Sequence, residues 1–178
     1  DGDTDLMPKA DPANVRLLIL DVDGCLTDGS VHLDGEGRET KRYNIKDGLG
    51  ISVWLRLGLP VVVITGRTSD SLIARCKELG ITELHQGVKD KGAKLAEVLS
   101  AVGCEAEEAA AFGDDWNDLP ILKRVGVAMC PADASDEIRA LADFVSARPG
   151  GHGAVREGIE MILAAKGLMA RALALYDV

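Results

Sequence analysis

The chain has 178 residues, 47% of them hydrophobic and only 3% aromatic, with a formal net charge of −9. That length buries one substantial core and leaves little for a second, and the acidic balance argues against nucleic acid and anionic membranes as partners. An anionic substrate would have to be drawn in locally, by a metal ion and a few chosen lysines and arginines.

The opening stretch, Asp1 to Asp11, is polar and lacks a signal-peptide pattern, with Met7 a candidate initiator. Residues 1–13 read as a flexible arm ahead of a single domain at 14–178. Val15 to Leu20 reads as a strand. Its unbroken aliphatic run suits a strand covered on both faces, and it delivers Asp21 and Asp23 at its carboxyl end, where open α/β sheets bind ligands. Two acids one residue apart repel and call for a shared cation. Magnesium, hard and held by one or two carboxylates plus substrate phosphate, meets that demand. Close like charges also raise one carboxyl pKa, which suits a nucleophile beside a proton donor. Gly24 lets the backbone approach a bound anion.

The stretch 29–45 carries two loosely alternating segments, Val31 to Leu33 and Thr40 to Ile45, around Asp34-Gly35-Glu36-Gly37, and predicts a protruding hairpin. Asp47 reads as the N-cap of a helix marked by Ile51, Trp54, Leu55 and Leu57 and ended by Gly58. Pro60 to Ile64 predicts a second buried strand ending in Thr65-Gly66-Arg67. A helix from Ser69 to Leu79, a short strand from Glu83 to Gln86, and a helix after Lys89-Asp90-Lys91 follow. Ala109 to Phe112 predicts a fourth strand, which hands over to Gly113-Asp114-Asp115-Trp116-Asn117-Asp118. Val125 to Met129 and Phe144-Val145 read as further short strands with a helix at 136–142 between them. Ala154 to Ala165 has amphipathic helical spacing, and the tail at 167–178 is apolar for an exposed segment. Alternating strands and helices predict a doubly wound α/β layer, a parallel sheet under helices. No apolar run reaches the length of a membrane span. Cys25, Cys76, Cys104 and Cys130 form no C-x-x-C pair, which suits a reducing, cytoplasmic setting.

Four strand ends thus carry Asp-x-Asp, Thr-Gly, a lysine region and Gly-Asp-Asp-x-Asn-Asp. Converging on one sheet edge, they would assemble a phosphate site. Asp21 would attack phosphorus, and Asp23 would protonate the leaving oxygen and then activate water. Thr65 and Lys91 would hold phosphoryl oxygens, Asp21, Asp23 and Asp114 would hold magnesium, and Asp118 would brace them from behind. Gly24, Gly66 and Arg67 would line the substrate. Arg67 is placed to grip a carboxylate through paired hydrogen bonds, with Arg75 adding a second charge. A cysteine phosphatase fails for want of an arginine six residues after any cysteine. A P-loop fails because Ala93-Lys94 follows Gly92 where Lys-Ser or Lys-Thr is required.

At Asp21-Val22-Asp23-Gly24, Thr65, Lys91 and Gly113-Asp114 with Asp118 the sequence resembles the haloacid dehalogenase superfamily. Asp23 to Gly29, Lys46-Asp47-Gly48, Gly87 to Lys91 and Gly153 to Glu157 are similar to its 3-deoxy-D-manno-octulosonate 8-phosphate (KDO 8-phosphate) phosphatase subfamily. The resemblance implies an aspartyl-phosphate intermediate on Asp21, a Rossmann-like core without a cap domain, and Mg2+ as cofactor. It also implies a sugar-phosphate substrate in lipopolysaccharide precursor synthesis, and a homotetramer whose hairpin and tail help enclose a neighbour's site. One departure is His152, where the family pattern Gly-Gly-Arg-Gly-Ala has arginine. The alternatives are a phosphatase for a nine-carbon keto-sugar acid phosphate of sialic-acid type, and a catalytically silent interaction domain of the same fold.

Overall fold

The computed structural model describes residues 10–177. Six strands form one parallel sheet: β1 (Leu17–Leu20), β4 (Val61–Ile64), β5 (Glu83–His85), β6 (Ala109–Phe112), β7 (Val127–Cys130) and β8 (Phe144–Val145), in the spatial order β5-β4-β1-β6-β7-β8. β2 (His32–Leu33) and β3 (Glu39–Thr40) pair antiparallel as a separate hairpin. The helices are α1 (Ile45–Arg56), α2 (Asp70–Leu79), α3 (Lys91–Val102), α4 (Leu119–Leu122), α5 (Asp136–Leu141), α6 (Ala154–Ala165) and α7 (Met169–Ala174).

The aliphatic strand runs do not alternate with polar residues because both sheet faces are dry. Leu18, Leu20, Val61, Val63, Phe112 and Met129 point to one side, against Ile51 and Trp54 of α1, Leu72 of α2 and Ile159 and Ile162 of α6. Leu17, Ile19, Val62, Ile64, Ala111 and Cys130 point to the other, against Leu95 of α3, Ile121 of α4 and Ile138 of α5. Trp54 is fully buried, and its indole N–H donates to the Pro60 carbonyl at 3.0 Å, so the largest core side chain leaves no orphaned donor. The chain leaves β1 toward β4 on one side and β6 on the other. The carboxyl end of β1 is therefore the point where the strand order reverses, the natural crevice of such a sheet.

Several local expectations are corrected. The N-cap of α1 is Asn44, whose side chain accepts from Lys46 N, and Asp47 lies inside the helix. The second arm of the hairpin is only Glu39–Thr40, because Ile45 already starts α1. The apolar tail, read as an exposed segment, is only partly so: α7 packs so that Ala172 is buried and Leu168 and Met169 lie on the core, while Leu173 and Tyr176 stay exposed. Of the expected N-terminal arm, residues 1–9 lie outside the described residues. Pro12–Asn14 forms a 3-10 turn capped by Asp11. Among the described residues no helix is long and apolar enough to cross a membrane.

Candidate active site

β1 ends at Leu20, and the ladder continues one bond further, Asp21 N donating to Phe112 O at 3.0 Å. The chain then turns tightly, with the Val22 carbonyl accepting from the amides of Cys25, Leu26 and Thr27. Gly24 sits at φ +88°, and a Cβ there would lie 1.9 Å from Asp114 Oδ2, so only glycine lets this turn meet the β6 loop.

Lys91, the first residue of α3, is buried and bridges two carboxylates. Its Nζ donates to Asp21 Oδ1 at 2.8 Å and to Asp118 Oδ1 at 2.6 Å. Asp118 uses its other oxygen to accept from Asp114 N at 2.9 Å and Asp115 N at 3.4 Å, which fixes the β6 loop beneath Asp114. Thr65 is buried at the end of β4. Its N–H donates to His85 O and its carbonyl accepts from Val88 N, while Gly66 and Arg67 beside it are exposed. The structure thus brings Asp21, Lys91, Asp114 and Asp118 into direct contact at one edge of the sheet.

Burial, reinforced by the charge of Asp118, pushes the Asp21 carboxyl up to about 7 against the pull of Lys91. Burial and the charges of Asp21, Asp118 and Asp115 push Asp114 up to about 8. Lys91 stays protonated because Asp21 and Asp118 outweigh the cost of its burial. Ligand atoms of Asp21, Cys25 and Asp114 lie within 4.8 Å of one another. Oxygen donors forced together at this cost fit a hard dication, and magnesium held by Asp21 and Asp114 would relieve the repulsion. The structure does not bring the Asp23 carboxylate into this group: its Oδ1 accepts from Lys41 Nζ at 2.5 Å, and Oδ2 faces Arg67 Nε at 3.9 Å.

These raised values set an expected pH response. A carboxyl whose folded pKa lies above its unfolded value, about 3.9, stabilises the protein fully below that value and loses the contribution as pH rises through the folded one. The melting temperature of the metal-free protein should fall by roughly 5 °C between pH 5 and pH 8.5. Saturating magnesium should remove most of the fall, so its stabilising shift should be larger at the higher pH. Thermal unfolding in chelator and in magnesium across that range checks this. A magnesium shift of equal size at both ends would break the link to these carboxyls.

Residues 77–157 match the haloacid dehalogenase-like hydrolase family. The chain is 41% identical over 163 residues to the 3-deoxy-D-manno-octulosonate 8-phosphate phosphatase KdsC of Escherichia coli (strain B / BL21-DE3), covering 92% of this chain and 86% of that protein. It belongs to the KDO 8-phosphate phosphatase family. Among solved structures, the phosphatase of that name from Yersinia pestis superposes with a TM-score of 0.86 at 40% identity, covering 88% of this chain and 84% of the other. The one from Moraxella catarrhalis, in complex with magnesium ion, phosphate ion and KDO, superposes with a TM-score of 0.90 at 35% identity over 93% and 95%.

Beside this family core, the hairpin supplies residues that the sequence reading passed over as a polar arm. Lys41 is almost fully buried and lies 2.7 Å from Glu39 Oε1 as well as on Asp23, and Arg67 is ion-paired to Glu39. Their only signal in the sequence is that a hairpin follows directly on the Asp-x-Asp turn. Arg75 is not brought to the carboxylates. Its guanidinium lies over the Tyr43 ring at 5.6 Å, pairs with Glu78 and donates to Asn44 O at 3.4 Å, beside a shallow cavity also lined by Lys41 and Tyr43.

Asp47 is buried and accepts from Gly153 N at 3.3 Å and Arg156 N at 2.9 Å, so it caps α6 rather than its own helix. That cap holds the Gly150–Gly153 loop on the catalytic turn. Gly151 N donates to Cys25 O, and a Cβ on Gly150 would fall 1.8 Å from Gly24 O. His152 is exposed and its Nδ1 is turned back onto Gly150 O at 2.9 Å.

Proposed function

We propose that this protein is a magnesium-dependent phosphatase that hydrolyses KDO 8-phosphate to the free keto-sugar acid and phosphate, in lipopolysaccharide precursor synthesis. The observation that carries the chemistry is Lys91 bound to Asp21 and Asp118 at once, with Asp114 alongside, at the carboxyl edge of a parallel sheet. The substrate is the one that relatives aligned over most of both chains act on. Asp21 uses the carboxylate oxygen not held by Lys91 to attack phosphorus as the phosphorus bond to the sugar oxygen breaks. Asp23 gives its proton to that oxygen. Asp23 then takes a proton from water as the water oxygen attacks phosphorus, which releases phosphate and restores Asp21. Thr65 and Lys91 hold the phosphoryl oxygens through both steps. Magnesium, when bound by Asp21 and Asp114, supplies charge that offsets the negative phosphoryl group.

Arg67 is half exposed at the rim and faces Glu39, a carboxylate that a sugar acid's own carboxylate can replace. Arg67→Ala should lower kcat/KM for KDO 8-phosphate by roughly ten- to a hundredfold, the loss of one charge-assisted bond of about 1.5–3 kcal/mol. Hydrolysis of a neutral aryl phosphate should change little. A panel of sugar phosphates assayed with and without magnesium, on wild type and variant, tests both claims. Equal losses on the acidic and neutral substrates would place Arg67 with the phosphate or the fold and remove it from sugar-acid recognition.

The protein is further proposed to work as a homotetramer in the cytoplasm. Val31 and Leu33 of the hairpin, Ile45 and Leu49 at the start of α1, and Leu173 and Tyr176 of the tail are large apolar side chains left exposed, which a subunit interface would cover. The four cysteines are free and buried, which suits a reducing compartment. Light scattering at micromolar concentration should give four times the 18.8 kDa chain mass. A fully active monomer would remove the case for shared sites.

A further inference from the structure

Cys25 stands against the carboxylate pair without a part in the hydrolysis. Its side chain is fully buried, and its sulfur lies 3.8 Å from Asp114 Oδ1. We infer that Cys25 gives the Asp21–Asp114 site a third, soft ligand, so that thiophilic divalent cations such as zinc and cadmium are held there by one sulfur and two carboxylates, in competition with magnesium. The inference rests on the reading that Asp21 and Asp114 form the metal site.

The donor set and its spacing support it. Tetrahedral zinc with bonds of about 2.3 Å to sulfur and about 2.1 Å to oxygen would separate those two donors by about 3.6 Å, close to the 3.8 Å already present. All three groups place a donor within 4.8 Å of the others. Lys91 holds Asp21 through a single hydrogen bond to Oδ1, so the carboxylate keeps lone pairs for an ion. The backbone that carries the thiol is fixed on both sides: Cys25 N donates to Val22 O at 3.1 Å and Cys25 O accepts from Gly151 N at 3.0 Å.

Magnesium prefers oxygen and leaves a neutral thiol as a bystander, whereas a softer ion takes the thiolate. Binding then releases the thiol proton to solvent, one proton for each ion held by sulfur. Cys76, Cys104 and Cys130 stand in no such group with two carboxylates among the described residues. The consequence is a dead-end state in which a thiophilic ion ties up Asp21, and a chelator reverses it.

The test titrates wild type, Cys25→Val and Cys25→Ser with cadmium, reading the ultraviolet sulfur-to-cadmium charge-transfer band and the affinity by calorimetry, with magnesium titrated in parallel. Wild type should show a band that saturates at one cadmium per chain and is displaced by excess magnesium. Both variants should lose that band and bind cadmium about a hundredfold more weakly, with magnesium affinity shifted less than about fivefold. X-ray absorption at the zinc edge of zinc-loaded wild type, which needs no variant to fold, should find one sulfur at about 2.3 Å. A shell of light atoms only, or an unchanged band and cadmium affinity in Cys25→Val, overturns the inference. Wild type that binds magnesium but shows no Cys25-dependent band defeats this inference alone. Wild type that binds neither ion defeats the metal-site reading beneath it as well.

Discussion

Asp21→Asn is expected to remove turnover, with kcat for KDO 8-phosphate falling by about 10⁴-fold or more, as when other covalent nucleophiles are deleted. The amide keeps the shape of the carboxylate, and its oxygen can still accept from Lys91, so the fold should persist. The direction of the accompanying stability change is more telling. Asp21 is buried beside Asp118, and burial, reinforced by the charge of Asp118, raises its carboxyl pKa. Removing one charge from such a cluster relieves repulsion that the wild type tolerates for the sake of the reaction. Metal-free Asp21→Asn should therefore melt a few degrees above metal-free wild type at pH 8, with the difference shrinking toward pH 5, where the wild-type group is protonated. Phosphate release and thermal unfolding measured on the same preparations check both halves. Turnover within tenfold of wild type would rule out covalent attack by Asp21.

The parts of this site that could be read from the sequence are those carried by buried strands. Leu17–Leu20, Val61–Ile64 and Ala109–Phe112 are apolar on both faces, so each strand end was marked by the first polar residue: Asp21, Thr65 and, one glycine later, Asp114. Lys91 was legible as part of the lysine region that follows a short strand and precedes a helix. What escaped depends on contacts between distant segments. Asp47 has the residue type of an N-cap and does cap a helix, but its partner amides are 106 and 109 residues away. Lys41 and Glu39 sit on a two-stranded hairpin whose alternation looks like solvated surface, and only their ion pairs with Asp23 and Arg67 draw them into the site. Arg75 failed in the opposite sense, since helical spacing placed it near Arg67 while the Tyr43 ring and Asn44 carbonyl hold it aside.

Lys91 is proposed to serve twice: its ammonium ties Asp21 to Asp118 in the fold and, in the proposed reaction, holds the phosphoryl group. Lys91→Met keeps most of the length of the side chain and removes the charge. It leaves Asp21 and Asp118, both nearly inaccessible, without their common donor. Breaking a buried ion pair from one side costs about 3–5 kcal/mol, and the lower end is expected because Asp21 can take up a proton instead. A loss of about 3 kcal/mol corresponds to a melting temperature lower by roughly 10 °C. Since protonation is the relief, the loss should be smaller at pH 6 than at pH 8.5. Turnover at a temperature where the variant is fully folded should fall by about 10³-fold, the scale for removing one charge aimed at a developing transition state. The double variant Lys91→Met/Asp118→Asn separates the two roles. Removing the second charge should return most of the lost melting temperature, because an ion triad replaced on both sides leaves less uncompensated charge than one cut in half. It should return no activity, because the phosphoryl oxygens still lack their cation. If the double variant regained turnover along with stability, Lys91 would be a scaffold residue only, and the phosphoryl group would have to be neutralised by the metal and Thr65 without it.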